Sequence, residues 1–236
     1  ALLKGETVVH YTLELGSTVI ATRYDSCITR VPLSQTYNFK DDIYEQIKDV
    51  KGKLIIKEYP TKSASPKTIR NHLERLYQRD IKPGMIIVDY ADLLKPTVIY
   101  KEKRHDLETI YEDLRAIAQE HDCPIWTASQ TNRSGLNAEV ITMESISEAF
   151  NKCFVADFIF TLSRTVEDKR TDSGRIFVAK NRNGPDGVVF PITMRTSNVF
   201  IEVHRHLDEI PVGNVVKSAK DYKQELEKKY KKFTKK

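Results

Sequence analysis

Apolar and polar positions alternate along the chain in two periods, one of strands and one of amphipathic helices. Residues 7–13 (TVVHYTL) form a β-rich run. Residues 18–30 and 40–50 carry helical spacing, and residues 53–57 (KLIIK) are a second strand. Ser65 and Pro66 then open a helix over about 66–80, with Ser as N-cap and Pro at its first position. Residues 85–88 (MIIV) are a third strand, apolar throughout, as expected when both faces are covered. A long helix fits residues 105–121. Residues 124–129 (PIWTAS) and 157–162 (DFIFTL) are the fourth and fifth strands. Beyond them the pattern changes. Strands at 175–180, 187–195 and 198–203 follow closely, with turns that include Asn183-Gly184 and Asp186-Gly187, and this spacing signals antiparallel hairpins.

That order predicts an α/β fold, a parallel sheet flanked by helices and extended by antiparallel strands. No internal repeat interrupts it. The opening residues, Ala1-Leu-Leu-Lys-Gly-Glu, read as the last turn of a helix, a Gly cap and the approach to a strand, so a segment upstream of Ala1 is expected.

Composition narrows the classes. The chain has 236 residues, of which 40% are hydrophobic and 30% charged, with 9 Gly and 9 Pro, which excludes collagen and low-complexity disorder. No apolar run approaches the roughly 18 residues of a membrane span. Cys27, Cys123 and Cys153 are odd in number and far apart, which points to a reducing compartment rather than a disulfide framework. The net charge is +5, yet residues 217–236 alone hold nine lysines against three acids. The rest of the chain is about neutral, so the basic balance belongs to a tail, expected over 206–236 behind a domain at 1–205, and says nothing about nucleic acid at the core.

Ligands gather at the carboxyl ends of strands in open α/β sheets. Glu14 ends the first strand, Asp89 the third and Gln130 the fourth, and Lys180 and Arg182 follow the strand that begins at Arg175. An apolar run ending in Asp, here IIVD, is the Walker B pattern, whose carboxylate holds the water shell of Mg²⁺ beside nucleotide phosphates. By itself this is weak, since many buried strands end in Asp.

The ordered set KGETVVHYTLEL, IIVDYADLL, PIWTASQTNR and VAKNRNGPDG is far more specific. It closely resembles the motor domain of DnaB-type replicative helicases, hexameric ATPases with a RecA-like P-loop core, from about residue 4 to 203. The helix RHDLETIYEDLRAIAQEHDCP and the segment MESISEAFNKCFVADFIFTLSR fit the same pattern. The resemblance implies ATP and Mg²⁺ as cofactors, and it implies roles position by position. Glu14 matches the glutamate that polarises the attacking water, Asp89 the metal carboxylate, and Gln130 the polar sensor between the γ-phosphate and the DNA loops. Lys180 and Arg182 match the pair that reaches from one subunit into a neighbour's nucleotide site, and the flanking turns are expected to hold them on a rigid tip. Two channel loops would lie at about 95–105 and 131–144. Lys101, Lys103, Arg104, Arg133 and Asn137 are the candidate contacts to single-stranded DNA, with Tyr100 interleaved. Trp126, in mid-strand, is expected in the core.

The resemblance also implies a homo-oligomer, a hexameric ring in this family, that works on single-stranded DNA. Primase and a helicase loader are candidate partners, no membrane is expected, and the compartment implied is a bacterial or phage-infected cytoplasm. One part is absent: the phosphate-binding loop GxxxxGK[ST] is not among these residues. Truncation is the expected reason, and the 236 residues alone are expected to bind nucleotide poorly. Asp92, an extra acid in the Asp-Tyr-Ala-Asp run, is expected to cap the following turn. Two other readings stand beside the helicase. One is a recombinase-like or clock-protein-like ATPase that forms rings or filaments without unwinding. The other is a non-catalytic DNA-binding or assembly module. The Lys-x-Arg pair and the Ser-Gln-x-x-Arg run favour the helicase.

Overall fold

The computed structural model describes residues 1–98, 101–131, 140–143 and 151–204. They form two compact units, one built on described residues 1–98, 101–131, 143, 151–156 and 197–199, the other on 140–142, 157–196 and 200–204. The tail expected over 206–236 lies outside the described residues.

The first unit opens with a 3-10 turn, Leu2–Lys4, that ends at Gly5. Gly5 has φ +89 and donates its N–H to Leu2 O, so the predicted Gly cap is present and needs the left-handed region that glycine enters freely. Then follow β1 (Val8–Thr12), α1 (Ser17–Thr29), α2 (Lys40–Ile47), β2 (Leu54–Glu58), α3 (Pro66–Tyr77), β3 (Met85–Asp89), α4 (Lys103–Glu120), β4 (Ile125–Thr127) and α5 (Asn151–Val155). The strands pair in the order β2-β1-β3-β4, all parallel. β1 is central and buried at all five positions, the polar His10 and Thr12 included.

Val9, Tyr11 and Leu13 meet Ile86 and Val88 of β3, and α3 and α4 cover them with Ile69, Leu73, Ile110, Leu114 and Ile117. Tyr11, fully buried, satisfies its hydroxyl on His72 Nδ1 at 2.9 Å. α3 starts as predicted. Ser65 and Thr68 form a reciprocal capping box with Pro66 at the first turn. No disulfide joins the three cysteines. Trp126 departs from expectation. It stands on β4, which borders the sheet in the described pairing, and 41% of it is exposed.

The second unit holds β5 (Phe158–Ser163), α6 (Val166–Arg170), β6 (Ser173–Asn181), β7 (Val189–Arg195) and β8 (Phe200–Val203). They form an antiparallel sheet in chain order. The run at 157–162, expected among the parallel strands, departs from them. As β5 it pairs antiparallel with β6, because only the short α6 connection separates the two, and antiparallel neighbours need no long crossover.

α6 is capped by Thr165 and Asp168, another reciprocal box. The buried Asp168 also accepts from Ser173 Oγ and from Arg175 Nη1 at 2.7 Å. Burial alone would raise its carboxyl. The hydrogen bonds from Thr165 and Arg175, with the Arg175 charge, outweigh burial and hold the pKa at about 2. A carboxyl depressed in the folded state stabilises above its ordinary 3.8 and loses that contribution as pH falls toward 2. At about 1.4 kcal/mol per pKa unit this amounts to about 2 kcal/mol. Asp168→Asn is therefore expected to cost about that much in denaturant unfolding at neutral pH, and the gap to the parent should close as pH drops below about 4. A gap indifferent to pH would contradict the assignment.

Candidate active site

Three parallel strands finish level with one another. Thr12 stands opposite both Glu58 and Asp89 in the register, so β1, β2 and β3 bring their carboxyl ends to one edge. Leu13 N donates to Asp89 O (2.9 Å), Tyr59 N to Thr12 O (3.0 Å) and Thr61 Oγ1 to Leu13 O (2.7 Å). Thr12 Oγ1 turns the chain by donating to Leu15 O (2.7 Å). The backbone on both sides of Glu14 is thus tied to its neighbours while the Glu14 residue itself is exposed at the edge. Glu58, which sequence reasoning passed over, has a different task. Its Oε2 accepts from Ser17 N at 2.7 Å at the start of α1, where the N-cap Gly16 supplies no side chain.

Asp89 closes β3 with its side chain about one-third exposed. Its peptide bond to Tyr90 is cis. His10, on β1, points Nε2 at Asp89 Oδ2 from 3.9 Å and bonds Tyr24 through Nδ1 at 3.0 Å. Burial lowers the His10 pKa, and the Asp89 charge offsets that in part. Gln130 Nε2 donates to the Tyr90 hydroxyl at 2.9 Å. The Tyr90 phenol is pushed up by burial, then by the charges of Glu14, Asp92 and Asp89. Gln130 thus meets a tyrosine that the sequence did not single out, next to Asp89, while the Leu13 N–Asp89 O bond holds the strand end that carries Glu14 alongside.

Asp92 is a correction. It lies inside the 3-10 turn Ala91–Leu93, and its carboxylate is taken up by other side chains. Its Oδ1 accepts from Tyr111 OH (2.7 Å), and its Oδ2 from Lys152 Nζ (2.9 Å) and Ser129 Oγ (3.2 Å). Asp89 and Glu14 remain as hard carboxylate oxygens on the edge. Mg²⁺ is held by one or two carboxylates together with substrate phosphates and retained waters, so this donor set fits it.

Lys180 and Arg182 belong to the second unit. Lys180 is half-buried in β6 opposite Ile159. Arg182 follows β6, donates its N–H to Asp157 O (2.9 Å) and sets its guanidinium 3.4 Å from Asp157 Oδ1, in an exposed pair. Both cations lie beyond the last β6–β7 pair, Phe177 opposite Val189, toward the tip of this hairpin, whose connecting loop runs on through 183–187. Asn181 orders that loop by donating to Pro185 O (3.3 Å) and accepting from Asn183 N (3.2 Å), while Gly187 turns the chain at φ +73.

Of the candidate DNA contacts, Arg133 and Asn137 lie outside the described residues, as do Tyr100 and the side chain of Lys103. Lys101 is exposed. Arg104 is exposed on the first turn of α4 and pairs with Glu102 at 2.5 Å. The basic excess of this segment is therefore partly neutralised locally.

A family model, DnaB-like helicase C terminal domain, matches residues 1–200. The chain belongs to this family. Relatives include a DnaB-like replicative helicase of Enterobacteria phage T4, 30% identical over 193 residues, which are 76% of this chain and 40% of that protein. The replicative DNA helicase DnaB of Geobacillus stearothermophilus is 31% identical over 162 residues, 65% of this chain and 36% of its own length. The chain thus spans less than half the length of these curated relatives. Among solved structures, a DnaB-like replicative helicase described with its primase interactions aligns with TM-score 0.70 at 16% identity, over 84% of this chain and 50% of the other. A second solved structure, an isolated ATPase domain, aligns with TM-score 0.69 at 18% identity, over 84% of this chain and 74% of the other. These likenesses show that the fold is shared, as the pattern of the sequence predicts. Among the described residues no helix is long and apolar enough to cross a membrane.

Proposed function

We propose that this chain is the ATP-hydrolysing motor of a ring-forming replicative DNA helicase that translocates on single-stranded DNA. The observation that carries the reading is that Glu14, Asp89 and Gln130 stand at or just after the carboxyl ends of the neighbouring parallel strands β1, β3 and β4, with Gln130 bonded to Tyr90 beside Asp89, in a chain of this family. Glu14, exposed and fixed through its backbone, polarises the attacking water. Asp89 orients the Mg²⁺ water shell. Mg²⁺, when bound with ATP, neutralises charge on the β- and γ-phosphates. Gln130, tied to Tyr90, senses the γ-phosphate. Lys180 and Arg182 enter the site of the adjoining subunit and stabilise charge on the transferring phosphoryl.

The exposed Arg182–Asp157 pair supports that last role, because a solvent-facing ion pair is worth at most about 1 kcal/mol and gives way readily to a phosphate. Head-to-tail contacts of this kind close rings, and a hexamer is the assembly we assign. Lys101, Lys103, Arg104, Arg133 and Asn137 are the residues we assign to the DNA path, with primase and a loader as further partners.

The test uses the full-length protein. DNA-stimulated ATPase together with strand separation on a forked duplex is expected, and DNA binding should weaken steeply as salt rises, as phosphate contacts require. ATPase without unwinding would favour the recombinase-like or clock-protein-like alternative. DNA binding without hydrolysis would favour the non-catalytic module.

A further inference from the structure

A buried charge lies directly behind Gln130. Lys152, on α5, has a side chain only 2% exposed, and its Nζ donates to Asp92 Oδ2 at 2.9 Å and to Ser129 Oγ at 2.6 Å. Ser129 Oγ donates in turn to the same Asp92 oxygen at 3.2 Å, which closes a ring of three groups. Tyr111 OH donates to the other oxygen at 2.7 Å, and the Tyr111 ring lies 5.8 Å from Nζ. Burial, and then the Asp92 charge, push the Tyr111 phenol well above its ordinary value, so it stays a donor.

Stability alone gives little reason for such a pair, since neutral or apolar replacements of a buried ion pair are often as stable. Its position suggests another use. Ser129 immediately precedes Gln130, and Asp92 follows Tyr90 by two residues. Gln130 and Tyr90 are themselves hydrogen-bonded at 2.9 Å. Lys152 therefore clamps together the two backbone segments that present Gln130 and Tyr90, and Thr127 Oγ1, accepting from Ala91 N at 2.9 Å, adds a third tie between them.

We propose that Lys152 is a positioning residue: through Asp92 and Ser129 it fixes Gln130 against Tyr90 at the carboxyl edge of the sheet. This rests on Gln130 acting as the γ-phosphate sensor. Displacing a catalytic group by about 1 Å can cost up to about 10²-fold in rate. Lys152 acts from behind the edge, through Asp92 and Ser129, so its removal should lower turnover and spare ATP affinity.

The experiment measures DNA-stimulated ATPase and thermal midpoint in the full-length protein for Lys152→Met, for the charge-neutral pair Lys152→Met/Asp92→Asn, and for Lys152→Met in a Gln130→Ala background. Lys152→Met is expected to lower kcat about tenfold while KM for ATP stays within about twofold. The double variant should regain thermal midpoint, because no unpaired charge is left buried, without regaining kcat. It carries the test by itself if the single variant fails to fold. In the Gln130→Ala background, Lys152→Met should remove less than about twofold more, since both changes act through one group. Recovery of kcat together with the midpoint would overturn the proposal, and so would a full tenfold loss without Gln130. A parent protein lacking DNA-stimulated ATPase would overturn the helicase reading and this proposal with it. An active parent with unaffected Lys152 variants would overturn this proposal alone.

Discussion

Glu14→Gln in the full-length protein is expected to bind ATP as the parent does and to hydrolyse it about 10²–10⁴-fold more slowly, the usual contribution of a positioned general base. The substitution keeps shape and removes charge. The backbone around residue 14 is held by bonds from Leu13 N to Asp89 O, from Thr61 Oγ1 to Leu13 O and from Thr12 Oγ1 to Leu15 O, none of which involves the Glu14 side chain. The fold of the edge should therefore survive. Equilibrium nucleotide titration beside steady-state turnover checks both halves. Unchanged turnover would remove the role given to Glu14, and lost binding would mean that the carboxylate holds nucleotide rather than activating water.

Arg182→Ala is expected to have the larger effect. A cation donated to the transferring phosphoryl is worth about 10³–10⁵ in rate. Its pair with Asp157 is half-exposed on both sides and contributes at most about 1 kcal/mol to stability. Lysine at 182 should restore only part of the rate, because a point charge does not reproduce the planar fork of guanidinium. A thermal melt alongside the ATPase rate separates the two effects. A rate loss matched by a collapse of stability would make Arg182 a structural residue of its hairpin.

Much of the fold and of the sheet edge is legible in the chain because the signals are local. The apolar run of β3 with its terminal Asp89, the Ser65-Pro66 start of α3 and the Gly5 cap each depend on neighbours within a few positions. What escapes depends on partners far away in sequence. Lys152 carries no local signal, and only the fold shows that its partner is Asp92, 60 residues earlier. Asp92 reads as a turn cap for the same reason. Trp126 sits among apolar neighbours, yet β4 is only three residues long and its tryptophan stays partly exposed. The Thr165-x-x-Asp168 spacing is a local signal for α6, readable in principle as a capping box. β5 is legible as a strand but not as a member of the antiparallel sheet, since a short apolar run does not name its neighbour.

In the proposed mechanism, carboxylates of one subunit and a cation of the next complete each site. Mixing Glu14→Gln subunits with Arg182→Ala subunits tests this most directly, because each variant alone is nearly inactive while an interface pairing the intact Glu14 of one with the intact Arg182 of the other is whole. ATP hydrolysis should appear in the mixture, pass through a maximum at intermediate ratios and fall away at either end. A mixture as inactive as its two components at every ratio, with mixed assembly verified, would place both residues in the same subunit's site and contradict the mechanism.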